Sequence, residues 1–288
     1  MSQSTEEELP PGSTSDGAKL AYEPHRKWYR RTEVVVPVLI VIAVYSVLLG
    51  VDVVPSRYRS EFLADGDLRM DWAYFFHLVP QMLVGLYVLA RATILGFTGA
   101  VVLGFFMALG RRSQIRWISW PTAFIVEFIR STPILVQLFF LQALFRTIDG
   151  VSLTGVQVLV LGLALHYGTY TSEGYRAGIN SVPKGQWEAS TALNLSPATK
   201  WWQIIIPQAV PNVLPALGNN LIASFKDAPM GGPVLAVPCM LFFANTIRAE
   251  DFRSVEPMLL IGVGFLMVSI PAAWGLRKLE SRIEYERE

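Results

Sequence analysis

Long uncharged apolar runs alternate with short charged ones along most of the chain, a pattern that predicts helices crossing a lipid bilayer. Val34–Val51 is an uncharged run of 18 residues, just long enough to span the hydrocarbon layer, and it follows His25-Arg26-Lys27 and Arg30-Arg31. It begins too far from the N-terminus for a cleaved signal peptide and has no small-x-small end, so a retained span with its basic flank inside is expected. Residues 1–33, rich in Ser, Glu, Pro and Gly near their start, read as a disordered cytoplasmic tail. Asp52–Trp72 carries five acidic and three basic residues, and 52–79 is expected outside.

Further spans are expected at about Tyr87–Leu109, Pro121–Phe145, Leu153–Tyr175, Pro211–Thr246 and Pro257–Leu276. Arg111-Arg112 and Arg116 follow one of these spans and Arg277-Lys278 another; both groups belong inside by the positive-inside bias. An all-α polytopic membrane protein results, with about six crossings, both termini in the cytoplasm and 279–288 as a short tail. Gly96, Ala100, Gly104 and Ala108 recur every four residues and make one small stripe on which another helix can pack closely. The Pro211–Thr246 unit is interrupted by Lys226-Asp227-Ala228-Pro229 and Gly231-Gly232-Pro233, which predicts either a broken helix or a span plus a re-entrant piece at membrane depth.

Between the spans at 153–175 and 211–246 lies a mostly polar insert, Ser181–Pro207. It reads as two short helices outside the membrane. Ser181 and Pro183 start the first, Asn194 ends it in the left-handed conformation, Ser196 caps the second with Pro197 at its first position, and Pro207 stops it.

Composition agrees: 52% of the 288 residues are hydrophobic against 16% charged, and the net charge of +1 sits at the edges of the apolar runs, with no basic patch for nucleic acid. Cys239 is the single cysteine, so no intrachain disulfide or cysteine metal cluster forms, and it reads as a small buried apolar residue. His25, His77 and His166 lack metal spacing. Ionisable groups inside spans are functional candidates by default. Glu127 and Arg130, three apart on one helical face, are placed to pair. Lys226 and Asp227 are adjacent and so point apart on a helix.

The loop pattern Glu188-Ala189-Ser190, then Asn194, then Ile204, Ile206 and Pro207, resembles the "EAA" loop of permease subunits of ATP-binding-cassette importers. Ser190, Asn194 and Ile206 replace that motif's Ala, Gly and Leu. The row Glu127 to Leu138, with Arg130-Ser131-Thr132-Pro133 and Val136-Gln137, is similar to the polar amino acid uptake branch, as are Tyr170, Glu173, Arg176 and Gly178 and the run from Pro207-Gln208-Ala209 to Lys226-Asp227. That branch continues with Thr-Ser-Leu where this chain has Ala228-Pro229-Met230.

The resemblance covers about residues 80–278 and implies a type I importer permease fold of five core spans, with Val34–Val51 an addition. It implies that Glu188, Ala189, Ser190, Asn194, Ile204 and Pro207 belong to a coupling helix that docks on cytoplasmic ATPase subunits. An external solute-binding protein and a second permease, identical or related, complete the machine. ATP and Mg belong to the ATPase; this chain has no G-x-x-x-x-G-K-[ST] loop and no cofactor of its own is expected.

A zwitterionic solute needs partners for its ammonium and carboxylate, and Glu127, Thr132, Gln137 and Glu173 are the candidates for the passage, with Lys226 and Asp227 at the helix break. Each serves equally well as a polar contact between helices. A polar amino acid is the expected cargo. An amino-acid-like compatible solute such as ectoine is the alternative, and an ion-coupled carrier working alone is a further one.

Overall fold

The structure, a computed structural model, describes residues 70–285. The Val34–Val51 span and most of the 52–79 loop lie outside the described residues. Ten α-helices and no strand are found among the described residues: α1 Trp72–Arg112, α2 Arg116–Arg130, α3 Ile134–Thr147, α4 Gly155–Asn180, α5 Lys184–Ala192, α6 Pro197–Thr199, α7 Ile206–Asp227, α8 Gly231–Leu235, α9 Met240–Glu250 and α10 Val255–Tyr285.

The first of these is 41 residues long, so it extends about 60 Å, twice the ~30 Å hydrocarbon thickness. It starts fifteen residues before the expected Tyr87, since Asp71 caps it by accepting from the Ala73 and Tyr74 N–H groups at 3.0 and 3.1 Å. Pro80, on its third turn, does not end it. Its buried residues, among them Met82, Leu89, Ala92, Gly96, Ala100, Gly104 and Ala108, fall three and four apart and face α4 along most of both helices. The expected small stripe is therefore the packing seam. A Cβ on Gly96 would lie 2.8 Å from Leu163 Cβ, and one on Gly104 would lie 2.6 Å from the Gly168 carbonyl oxygen.

The expected span at Pro121–Phe145 is not one helix. At Ser131-Thr132-Pro133 the axis turns by 111°. Gly110 in the last turn of α1 sits beside Thr122, and Arg111 and Arg130 reach the same carboxylate, so α2 stays level with the basic end of α1. Trp117 and Trp120 on α2 are exposed, as aromatic residues at a membrane interface are. Only α3, about 21 Å long, runs on along α4, where Leu138 fills the space beside Gly162.

Helix α4 is the centre of the bundle, packed on α1, α7, α3 and α2. Among the described residues, α1 and α10 are long and apolar enough to cross a membrane, with two bent pairs as further candidates; α4 falls outside that set. Its polar His166, Thr169, Thr171 and Ser172 are buried against neighbouring helices, so its composition answers to protein rather than to lipid.

Two expectations at proline are corrected. Pro207 does not stop a helix. Residues Lys200–Ile205 form a π-helical turn, Ile206 N–H donating to Trp201 O five residues back, and this wider turn carries α6 into α7. The widening relieves the clash that a proline ring makes with the carbonyl four residues before it. In the next unit, the helix does not break at Lys226-Asp227-Ala228-Pro229. It tightens to a 3-10 turn over Ala228–Met230, continues as α8, and breaks at Ala236, left-handed at φ 52°, and Val237-Pro238-Cys239. Ala228 and Cys239 are buried in the main core with Leu159, Leu235 and Val237, and Pro229 next to Ala228 is buried too.

At the end far from Arg111 and Arg112, Arg253 pairs with Asp71 at 3.4 Å and Glu256 at 3.3 Å, while Tyr74 donates to Asp251. These contacts tie the start of α1 to the start of α10.

Candidate functional site

The polar insert forms one short helix, α5, followed by the first turns of the long α6–α7 rod. Ser181 closes α4, donating through its Oγ to Gly178 O at 2.7 Å, and Pro183 stands at the N-cap of α5. Asn194 has φ 51° and ends α5 in the left-handed conformation, and Ser196 caps α6 through the Thr199 N–H at 3.1 Å with Pro197 next. Glu188 and Ala189 are exposed on α5, and Asn194 is exposed beside them. Ser190 is buried and donates to Trp187 O at 2.8 Å, so it faces into the loop. Of the remaining motif positions, Ile204 packs half-buried against the loop core and Pro207 is exposed.

That core is Val182, Ile205 and Ala209 with Trp187, Trp201, Ile179 and Ile204 around them. Trp187 and Trp201 meet edge to face at 5.5 Å. The Arg112 guanidinium stands 5.9 Å from each ring and donates to Asn180 Oδ1 at 2.9 Å. The Lys200 Nζ lies 5.1 Å from the Trp187 ring and donates to Trp187 O and Thr191 Oγ1. The loop is thus joined to three helices: α1 through Arg112, α4 through its own end, and α7 by unbroken helix. Sequence reasoning missed Arg112, Trp187 and Trp201; three tryptophans in a polar insert, Trp187, Trp201 and Trp202, were the available signal.

The passage candidates separate into groups. Glu173 accepts from Arg111, from Arg130 at 3.2 Å and from Arg176 at 2.9 Å, joining α1, α2 and α4. The expected Glu127–Arg130 pair does not form: Arg130, at the end of α2, turns across to α4, and Glu127 stays exposed without an ion pair among the described residues. One carboxylate among three guanidinium groups leaves an excess of positive charge, so Glu173 does not stand free to meet an ammonium.

Thr132 and Gln137 sit together at the α2–α3 bend. Gln137 Nε2 donates to Ile129 O at 2.7 Å, Thr132 O at 3.0 Å and Thr132 Oγ1 at 2.8 Å, which satisfies carbonyls the bend leaves without helical partners. Its Oε1 lies 3.0 Å from His166 Nδ1. Tyr167 donates to Asp227 Oδ2 at 2.6 Å, whereas Lys226 is exposed, so the two adjacent residues part as a helix requires. The rings of His166, Tyr167 and Tyr170 lie 5.1 to 6.0 Å apart, and Arg130 covers Tyr170 at 5.3 Å. A continuous line of contacts therefore runs from Asp227 through these rings to Arg130 and Glu173. Glu127 and Lys226 stand outside it.

Comparison with known proteins accords with this geometry. Residues 100–285 match the family described as the binding-protein-dependent transport system inner membrane component. A "probable amino-acid ABC transporter permease protein" of Sinorhizobium fredii is 40% identical over 204 residues, 70% of this chain and 86% of that one. The glutamine transport system permease of Escherichia coli is 29% identical over 75% of this chain and 99% of its own length. The crystal structure of an amino acid ABC transporter with histidines superposes with a TM-score of 0.69 at 31% identity, covering 74% of this chain and 99% of the other. An all-helical bundle with a loop bound to three of its helices, matched over most of its described length, makes this chain a member of the binding-protein-dependent inner membrane family, an ABC transporter permease rather than its ATPase.

Proposed function

We propose that this permease is half of the membrane pathway of an importer that moves a polar amino acid into the cytoplasm. Two cytoplasmic ATPase subunits hold the ATP and Mg, an external solute-binding protein delivers the cargo, and a second permease completes the pathway. Both termini lie on the ATPase side. The observation that carries the reading is the loop: Glu188 and Ala189 are exposed on a helix whose core is welded to α1, α4 and α7. Force applied at α5 therefore moves all three helices together, which is how ATP closure becomes alternating access.

The test is reconstitution in liposomes with the ATPase and the binding protein, screening L-glutamine, L-glutamate, L-cystine, L-histidine and ectoine singly. ATP-dependent uptake of an amino acid is expected. Glu188→Arg should abolish uptake and solute-stimulated ATP hydrolysis while the protein remains in the membrane. Uptake without any ATPase would make the chain an ion-coupled carrier, and uptake of ectoine alone would move the cargo to compatible solutes.

A further inference from the structure

His166 lies near the middle of α4, 7% exposed, two turns of helix from Glu173 toward the other end. Its tautomer follows from its neighbour. Gln137 Nε2 already faces three acceptors, so the atom against the imidazole is the amide oxygen, which can only accept. Nδ1 therefore carries the hydrogen, and Nε2 of the neutral ring is left with a lone pair. Among the described residues Nε2 has no hydrogen-bond partner, and it is not sealed in among the buried unsatisfied atoms. A nearly buried acceptor with an open lone pair calls for a donor from outside the chain. The rings of Tyr167 and Tyr170 lie 5.2 and 5.1 Å from the same imidazole, so aromatic walls border the space beside it. The Arg130 guanidinium, a third exposed and sharing the single Glu173 carboxylate with two other arginines, packs on the same Tyr170.

We propose that His166 Nε2 accepts a hydrogen bond from the ammonium group of the passing amino acid while Arg130 meets its carboxylate. Gln137 is the positioning residue that holds the imidazole in the accepting tautomer. His166 is then a specificity residue for zwitterions within the passage, a role no metal-spacing argument would find. The inference rests on the amino acid importer reading and deepens it.

Two substitutions separate this role from a structural one. An asparagine amide matches the Nδ1 position and a glutamine amide the Nε2 position. His166→Asn keeps a donor toward Gln137 and deletes the acceptor; His166→Gln does the reverse. In the reconstituted complex, with the amino acid found by the uptake screen as the probe, His166→Asn should lower uptake at least about tenfold, the loss of roughly one charge-assisted hydrogen bond. His166→Gln should stay within about threefold of wild type. Equal effects, or the reverse order, would show that the Gln137 bond is what matters and overturn the proposal.

A measurement on unsubstituted permease guards against misfolded variants. With 15N-labelled histidine, the unprotonated Nε2 resonance should move when that amino acid is added and not when its des-amino counterpart is added. No movement with the amino acid also overturns the proposal. If the wild-type complex takes up none of the probes, the amino acid reading itself fails, an outcome distinct from either of these.

Discussion

Replacing Gly104 by alanine tests whether the seam between α1 and α4 is as close as it looks. The new Cβ would lie 2.6 Å from Gly168 O and 3.0 Å from Ser172 N, and it would collide with the Thr171 hydroxyl. That hydroxyl bridges the helices by donating to Ala100 O at 2.9 Å. A carbon sits comfortably no nearer than about 3.3 Å to a carbonyl oxygen, so the two backbones must part by roughly 0.7 Å. Overpacking costs about 1–3 kcal/mol, and collisions with three atoms at one site put it in the upper part of that range, about 2–3 kcal/mol, of which the gain of alanine over glycine in a helix offsets up to about 1 kcal/mol. A net loss of about 1–2 kcal/mol is expected, near 2–8 °C in the unfolding midpoint for a domain of this size. Gly262 on α10 is the matched control, because a Cβ there meets nothing within 4 Å. Gly262→Ala should leave the midpoint unchanged or raise it slightly. The assay is thermal unfolding of the detergent-purified proteins side by side. A Gly104→Ala protein as stable as wild type would refute the claim that this glycine sets the spacing of the bundle.

Three further outcomes follow from the caps and the charges. Asn194, at φ 51°, should tolerate glycine with a change of a few tenths of a kcal/mol, whereas Asn194→Val should cost about 1–2 kcal/mol and weaken ATPase stimulation, both read in the same unfolding and reconstitution assays. Glu173→Gln leaves three guanidinium groups without their shared carboxylate; with these groups 16–46% exposed the loss is discounted to roughly 1–2 kcal/mol, and Arg130→Ala should lessen it in a double-mutant cycle. The bond from the Tyr74 N–H, followed by those from Ala73 and Arg253, holds the Asp71 carboxyl below its ordinary value of 3.8, against a smaller opposing effect of burial. A depressed acid stabilises the fold above its unfolded value and loses that contribution as pH falls through its folded one. Amide protection at Ala73 and Tyr74 should therefore fall below pH 3.8, and Asp71→Asn, which still caps, should remove that pH dependence.

What could be read from the sequence was whatever depends on a few neighbouring residues. Asn194 took the left-handed conformation, Ser196 with Pro197 opened a helix, and Gly96 to Ala108 became a packing seam, each because local sterics leave little choice. What could not be read was decided by tertiary contacts. Pro207 breaks a helix only if the preceding turn stays α-wound, and here it widened. The 111° bend after Arg130 depends on Gln137 reaching back to Ile129 O and Thr132 O, and on Glu173 drawing Arg130 across to α4. Of the passage candidates, Thr132 and Gln137 come together at the bend, and the residue they meet there is His166, whose sequence spacing marks it as nothing in particular. Its importance lies in which nitrogen Gln137 leaves open, a fact of geometry that spacing does not encode.

The wide turn at Lys200–Ile205 also fixes rotational phase. From Ser196 to Leu235 the chain is one uninterrupted screw, and each residue added or removed turns everything beyond it by about 100°. The angle at which Asp227 meets Tyr167 deep in the bundle is thus set by how the backbone winds beside the two tryptophans at the rim. A twist of that rim is carried toward the interior along this one continuous helical shaft.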